Sequence, residues 1–123
     1  MEVVAVIGAS NDPSRYSYKA IELLREYGHR PLAVHPREKE VLGLAVYPSI
    51  GKIKEEGLKV DTVTVYVNAA ISHKYQEDLI SLRPTRVIFN PGAENSALAR
   101  ALEEQGIKVE EACTLVLLRT NQF

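Results

Sequence analysis

Residues 3–7 read Val-Val-Ala-Val-Ile and stop at Gly8, where a polar loop begins. A short, mostly β-branched apolar run with no polar alternation belongs to a strand covered on both faces, the kind found in parallel sheets. Parallel neighbours need crossover connections, so the rest of such a chain has to alternate strand with helix. After the loop, Ser17 is placed to cap a helix that runs to Tyr27, with Ala20, Ile21 and Leu24 on one stripe and Gly28 at its end. Residues 32–34 read as a second strand, closed by His35-Pro36. A longer connection follows, punctuated by Gly43 and Pro48, with Ser49 as cap of a short helix through Ile53. A third strand is predicted over 62–67, and Ile71, Tyr75, Leu79 and Leu82 then recur at helical spacing until Pro84 stops them. Residues 86–89 make a fourth strand, and Leu98, Ala101 and Leu102 line a helix that ends at Gly106. Residues 107–109 make a fifth strand, and the tail holds a last apolar stretch, 115–118.

The pattern predicts an α/β fold: a three-layer, Rossmann-like, doubly wound parallel sheet of about five strands. Right-handed crossovers favour the strand order 3-2-1-4-5. At 123 residues the chain is expected to be a single domain, 1–123. The stretch 115–118 is open to three readings: a sixth strand, a cover for the sheet edge, or an apolar surface for a homo-oligomer.

The formal net charge is -1, which excludes a broad basic face for nucleic acid, so any anion site has to be local. The run at 3–7 is far too short to span a membrane and has no basic segment before it. A single cysteine, Cys113, allows no intrachain disulfide. Together these point to a cytoplasmic protein with a small-molecule ligand rather than a nucleic acid or a membrane.

In a sheet of this class ligands bind beyond the carboxyl ends of the strands, where the strand order reverses. The loops to weigh are therefore 8–17, 35–39, 66–72 and 90–95. In the first, Gly8 permits a tight turn and close approach of a phosphate. Loop amides and the start of the helix can hold a diphosphate, with Ser10, Ser14 and Ser17 as further donors and Arg15 as a guanidinium fork. The loop lacks the G-x-G-x-x-G fingerprint of nicotinamide binding, with Ser10 and Pro13 in place of the second and third glycines. The second strand ends not in an acid but in His35-Pro36-Arg37 with Lys39 behind, a basic ending suited to a ribose phosphate. NADP carries such a phosphate at the 2′ position and coenzyme A at the 3′ position. The plain alternative for 37–40 is a solvated loop of alternating charge. In the fourth loop Gly92 can present backbone N–H groups, Asn95 or Ser96 can cap the next helix, and Asn90 stands at a strand's carboxyl end.

These loops resemble those of the CoA-binding proteins related to the CoA-binding domain of the succinyl-CoA synthetase alpha subunit. The resemblance rests on residues 4–10 (Val-Ala-Val-Ile-Gly-Ala-Ser) with Pro13 and Arg15-Tyr16-Ser17, then Val34-His35-Pro36, then Gly43 with Tyr47-Pro48-Ser49. It continues through Asp61-Thr62-Val63, the stretch 90–95 (Asn-Pro-Gly-Ala-Glu-Asn) and the closing 113–118, and it covers roughly residues 3 to 119. It implies a Rossmann-like fold and coenzyme A as cofactor. By position, Gly8, Ala9, Ser10, Arg15 and Ser17 would cradle phosphate, and His35, Pro36 and Lys39 would lie near the adenosine. Tyr66, Val67, Asn90, Pro91 and Gly92 would line the channel. His35 departs from the asparagine or threonine expected before that proline.

Succinyl-CoA synthetase uses a phosphorylated histidine, a second domain and a partner subunit, and at 123 residues this chain is expected to have neither the length nor the second domain for that reaction. None of His29, His35 and His73 has an evident carboxylate to orient it, so no catalytic base is assigned, and His29 is expected to face solvent. No metal ligand is assigned either. The leading expectation is a CoA-binding module without catalysis of its own. Its rivals are an NADP-dependent oxidoreductase and a component of an acyl-CoA enzyme that needs a partner. Cys113 is either a small buried hydrophobe or a thiol near the reactive end of coenzyme A.

Overall fold

Both faces of the run at 3–7 are covered in the computed structural model, which describes residues 1–123. The run forms β1 (Val3–Ile7), and residues 4–7 are fully buried. It pairs in parallel with β2 (Arg30–Val34) on one side and with β5 (Thr62–Val65) on the other. The sheet continues through β6 (Arg86–Phe89) to β7 (Lys108–Glu111), again in parallel. The short strands β3 (Glu40–Val41) and β4 (Leu44–Ala45) form a separate antiparallel hairpin after β2. No helix is long and apolar enough to cross a membrane.

Alternation along the strands sends side chains to two cores. Ala5, Ile7, Val63, Val65, Val87 and Phe89 pack with Ile50 and Ile53 of α2 (Ile50–Glu55), Leu79 of α4 (Gln76–Leu82), which follows the single turn α3 (Ala69–Ser72), and Leu98 and Leu102 of α5 (Ser96–Glu104). Val4, Val6 and Ala33 face the other way, against Ile21 and Leu24 of α1 (Tyr16–Glu26) and Leu118 of α6 (Thr114–Arg119). Helices on both faces of a parallel sheet are the expected three-layer Rossmann-like architecture.

The strand order needs one correction of identity. The predicted third strand does not lie outside β2. That edge is taken by Tyr47, which bridges Val34 in parallel, donates its N–H to the Ala33 carbonyl at 2.8 Å and accepts the His35 N–H at 3.1 Å. With this one-residue bridge counted third, the order runs 3-2-1-4-5-6, the expected 3-2-1-4-5 with one more strand at the far edge, and β5 is the fourth strand, next to β1. The order therefore reverses between β1 and β5, and the cleft opens there. Apolar periodicity reports which faces are buried and carries no information about the side from which a strand joins.

The ends of the helices show which caps the sequence places correctly. Ser49 and Asn95 accept the N–H of Lys52 and Leu98, as expected. Ser17 is not a cap: it lies one residue inside α1, buried, and the cap position belongs to Arg15, whose side chain makes no capping bond. The tail is not a sixth strand. It winds into α6, which buries Leu115 and Leu118 and leaves Val116 outside.

Candidate functional site

Beyond the carboxyl ends of β1, β2 and β5 the loops enclose a cleft with two lobes. The inner lobe, about 650 Å³, is lined by the glycine loop, the start of α1 and the turns after β5 and β6. The outer lobe, about 490 Å³, lies between the turn after β2 and the segment 67–78. Gly8, His35, Arg37, Val67 and Ile71 border both. A further groove of about 700 Å³ runs outside β2, with Arg25, Arg30 and Lys52 on its walls, and borders neither the glycine loop nor the start of α1.

Gly8 holds φ at +87°, and a Cβ on it would lie 2.8 Å from Val67 Cγ1 and 3.2 Å from the Tyr66 carbonyl oxygen. The glycine thus lets the loop after β1 nest against the loop after β5. Its amide is not bare. Gly8 and Ala9 both donate to the Val34 carbonyl, at 3.1 and 3.2 Å. This corrects the expectation that amides at residue 8 meet a phosphate directly.

The uncommitted donors lie one turn further on. The first bond of α1 runs from the Lys19 N–H to the Arg15 carbonyl, and Arg15 supplies no side-chain cap. The N–H groups of Tyr16, Ser17 and Tyr18 therefore have no helical partner, and Tyr16 and Ser17 line the inner lobe. Arg15 also lines it, outside all four ion pairs of the fold. The loop before the helix is braced from within. The Ser14 N–H and hydroxyl both donate to Asp12 Oδ1, at 3.0 and 2.8 Å, and the Asp12 N–H donates to Ser10 Oγ. The bonds from Ser14 hold the Asp12 carboxyl below its ordinary range. Ser14 is thereby occupied, whereas Ser10 and Ser17 line the lobe.

His35 Nδ1 accepts the N–H groups of both Arg37 and Glu38 at 3.0 Å. That is the work of an asparagine or threonine side-chain oxygen in a turn, and it accounts for the departure at this position. Pro36 borders the outer lobe. Of the basic residues after β2, Arg37 reaches the cleft; Lys39 borders neither lobe and uses its carbonyl to accept the Val46 N–H.

Across the cleft, Val67, Pro91 and Gly92 line the inner lobe, and the Gly92 N–H is covered by the Glu94 carboxylate at 3.0 and 3.2 Å. Asn90 does not reach the cleft. It is 2% exposed, donates to Thr64 Oγ1 and the Val65 carbonyl, and accepts from the Thr114 N–H. Tyr66 lines the inner lobe, and its hydroxyl is buried beside those of Thr64 and Thr114 without completing a well-formed hydrogen bond to either; burial pushes its pKa up. Ile71, predicted on a buried stripe, is instead 43% exposed on the cleft wall. Cys113 is part-buried, precedes α6 and borders neither lobe.

Lys74, Tyr75 and Asp78 border the outer lobe and carried no signal in the sequence beyond helical spacing. His29 is part-buried rather than solvent-facing: its Nδ1 accepts the Glu2 N–H and its ring lies 5.0 Å from Phe123. His73 Nδ1 bonds the Ala70 carbonyl at 2.7 Å. No group of three or more His, Cys, Asp or Glu side chains is placed to hold a metal ion.

Comparison with known proteins gives one family. The model of the CoA binding domain matches residues 2–119. A subunit alpha of acetate–CoA ligase (ADP-forming) II from Pyrococcus furiosus is 44% identical over 54 residues, 43% of this chain and 12% of the ligase subunit. Acetate–CoA ligase (ADP-forming) I from Archaeoglobus fulgidus is 36% identical over 77 residues, 63% of this chain and 11% of the ligase. The matched region is thus about a ninth to an eighth of each ligase. A crystal structure of a protein described only as uncharacterized superposes with a TM-score of 0.90 at 36% identity, covering 100% of this chain and 98% of that one.

Proposed function

The chain belongs to the CoA-binding domain family, and from that premise we propose that it binds coenzyme A or an acyl-CoA in the two-lobed cleft. The observation that carries this is the open first turn of α1: three amides without helical partners, beside Arg15 and Ser17, at the positive end of an eleven-residue helix. A diphosphate there would accept from the amides and meet a guanidinium that is not engaged elsewhere. Gly8 and Ala9 support the loop and Ser10 adds a hydroxyl. Arg37 and Lys74, both outside the fold's ion pairs, would meet the ribose 3′-phosphate, and the outer lobe beside His35 and Pro36 would take the adenosine. Val67, Pro91 and Gly92 would then flank the pantetheine arm.

We read the domain as a cytoplasmic binding module rather than a catalyst. Each histidine already has a ring nitrogen in a main-chain hydrogen bond, and Cys113 stands off the cleft. The ligase reaction belongs to proteins about eight to nine times larger than the matched region. An NADP-binding oxidoreductase is disfavoured by Ser10 and Pro13 where that cofactor's loop has glycines.

Thermal unfolding with CoA, dephospho-CoA, NADP and NAD tests the reading. A ligand at about a hundred times its dissociation constant adds roughly 2.7 kcal/mol, several degrees for a domain of this size. CoA should raise the transition and dephospho-CoA should do so less. A shift with NADP and none with CoA overturns the assignment.

A further inference from the structure

We propose that His35 is a positioning residue that holds the turn bordering both lobes only while its ring is neutral, so that ligand affinity falls as histidine gains its proton; the inference rests on the cleft binding coenzyme A. The turn after β2 has no main-chain hydrogen bond of its own, for none involves residues 36–38. The Arg37 and Glu38 N–H groups both go to His35 Nδ1, at 3.0 Å each. His35 is itself fixed by its main-chain N–H, which donates to the Tyr47 carbonyl at 3.1 Å. One ring nitrogen thus secures a stretch that supplies His35, Pro36 and Arg37 to the outer lobe and His35, Arg37 and Glu38 to the inner one.

Two converging donors need a lone pair, so Nδ1 carries no proton and Nε2 carries it. An imidazolium has a donor at both nitrogens. Its Nδ1–H would face two other N–H groups, and the turn has to leave the place it now holds. A side-chain oxygen here would accept the same bonds at any pH, whereas histidine makes them conditional on pH between about 5 and 8. The charged groups bordering the same lobes are Arg15, Arg37 and Lys74 on one side of the balance and Glu38 and Asp78 on the other. Phenols come from Tyr16, Tyr66 and Tyr75, with Tyr47 behind the ring. Side chains of these types keep their charge over that range. His29 and His73 border neither lobe. The pH-dependent change in the cleft walls is therefore carried by His35.

The test follows CoA affinity by titration calorimetry at pH 8 and pH 5.5 in wild type, His35→Asn and His35→Thr, each referred to its own value at pH 8. Both replacements offer an oxygen that does not titrate. The ligand's own phosphate monoester titrates at about 6 and acts on all three proteins alike. Wild type should lose about tenfold more affinity than either variant, as expected when charging the ring leaves the turn in its binding conformation about a tenth of the time. Melting temperatures at each pH show that the proteins are folded. In wild-type protein without ligand, the Arg37 and Glu38 amide signals should move together with the His35 ring signals in an NMR titration. Unmoved amides overturn the proposal even if neither variant folds. Parallel losses in the three proteins, or a wild type that holds affinity better than the variants because an imidazolium attracts phosphate, overturn it while leaving the coenzyme assignment intact. Failure of wild-type protein to bind CoA at pH 8 overturns that assignment and this one with it.

Discussion

The side-chain carbonyl of Asn90 accepts the main-chain N–H of Thr114 at 2.9 Å, so the end of β6 holds the first residue of α6. The same side chain donates to Thr64 Oγ1 and the Val65 carbonyl, and Thr64 and Thr114 share a hydrogen bond at 2.8 Å. All of this lies beneath the cleft. Asn90→Ala would strand several buried groups, each costing about 1–3 kcal/mol. A loss of about 2–4 kcal/mol is expected in denaturant unfolding, with CoA affinity of the remaining folded protein within about twofold of wild type. A large affinity loss at unchanged stability would place Asn90 in the site instead.

Tyr16→Pro isolates the backbone donors of α1. Tyr16 is the first helical residue, where proline is well tolerated, and Arg15 before it is extended, as a residue preceding proline prefers. The change removes one open amide with little effect on the helix. CoA affinity should fall about fivefold to tenfold relative to a Tyr16→Ala control, with melting temperatures of the two alike. Equal affinities would remove this amide from the binding scheme.

Gly8→Ala should destabilise the fold itself. The residue sits at φ +87°, which costs an alanine about 1–2 kcal/mol, and the new Cβ would press on Val67 and the Tyr66 carbonyl, adding about 1–3 kcal/mol. The Val67→Ala background should recover part of that loss, because it removes the nearest contact at 2.8 Å. A substitution here is consequently a poor probe of phosphate contact, and affinity has to be read on the folded fraction alone.

Much of this fold is legible in the chain. β-branched runs ending in glycine, capping residues such as Ser49 and Asn95, and the stripe through Ile21 and Leu24 each report local structure, and local structure is what spacing encodes. What escapes is settled at longer range. The edge of β2 is closed by Tyr47, thirteen residues after Val34, and no periodicity marks a strand one residue long. Asn90 has the composition and placement of a ligand contact, and only its three partners, all distant in sequence, reveal a structural post. Gly8 was readable as a turn, but the carbonyl that takes its amide comes from the neighbouring strand. Asp78 shows nothing until the fold sets its carboxylate against Gly51, in the first turn of α2.

Tyr66→Phe should raise stability by about 1 kcal/mol at neutral pH, since a buried hydroxyl without a partner costs about 1–3 kcal/mol. Its pH dependence has a definite sign. Burial raises the folded-state pKa, so the stability is constant below the unfolded phenol's value of about 10 and declines as pH climbs above it. The decline should be shallower in Tyr66→Phe, though not abolished, because Tyr47 and Tyr75 are raised as well. Guanidinium titrations at pH 7 and pH 10.5 check both statements. A variant less stable at pH 7 would mean that the hydroxyl does hold a bond in solution.

The Tyr47 bridge also bears on how the molecule keeps to itself. A foreign strand arriving outside β2 finds the carbonyl of Ala33 and the amide of His35 already satisfied, and Pro31 has no proton to offer. At the opposite margin β7 displays Lys108, Glu110 and Glu111 in place of apolar side chains, with Glu110 pinned by Arg86 and Lys108. The sheet is thus blunted at both borders by unlike means, one mechanical and one ionic, and of the two only the ionic border weakens as salt is added.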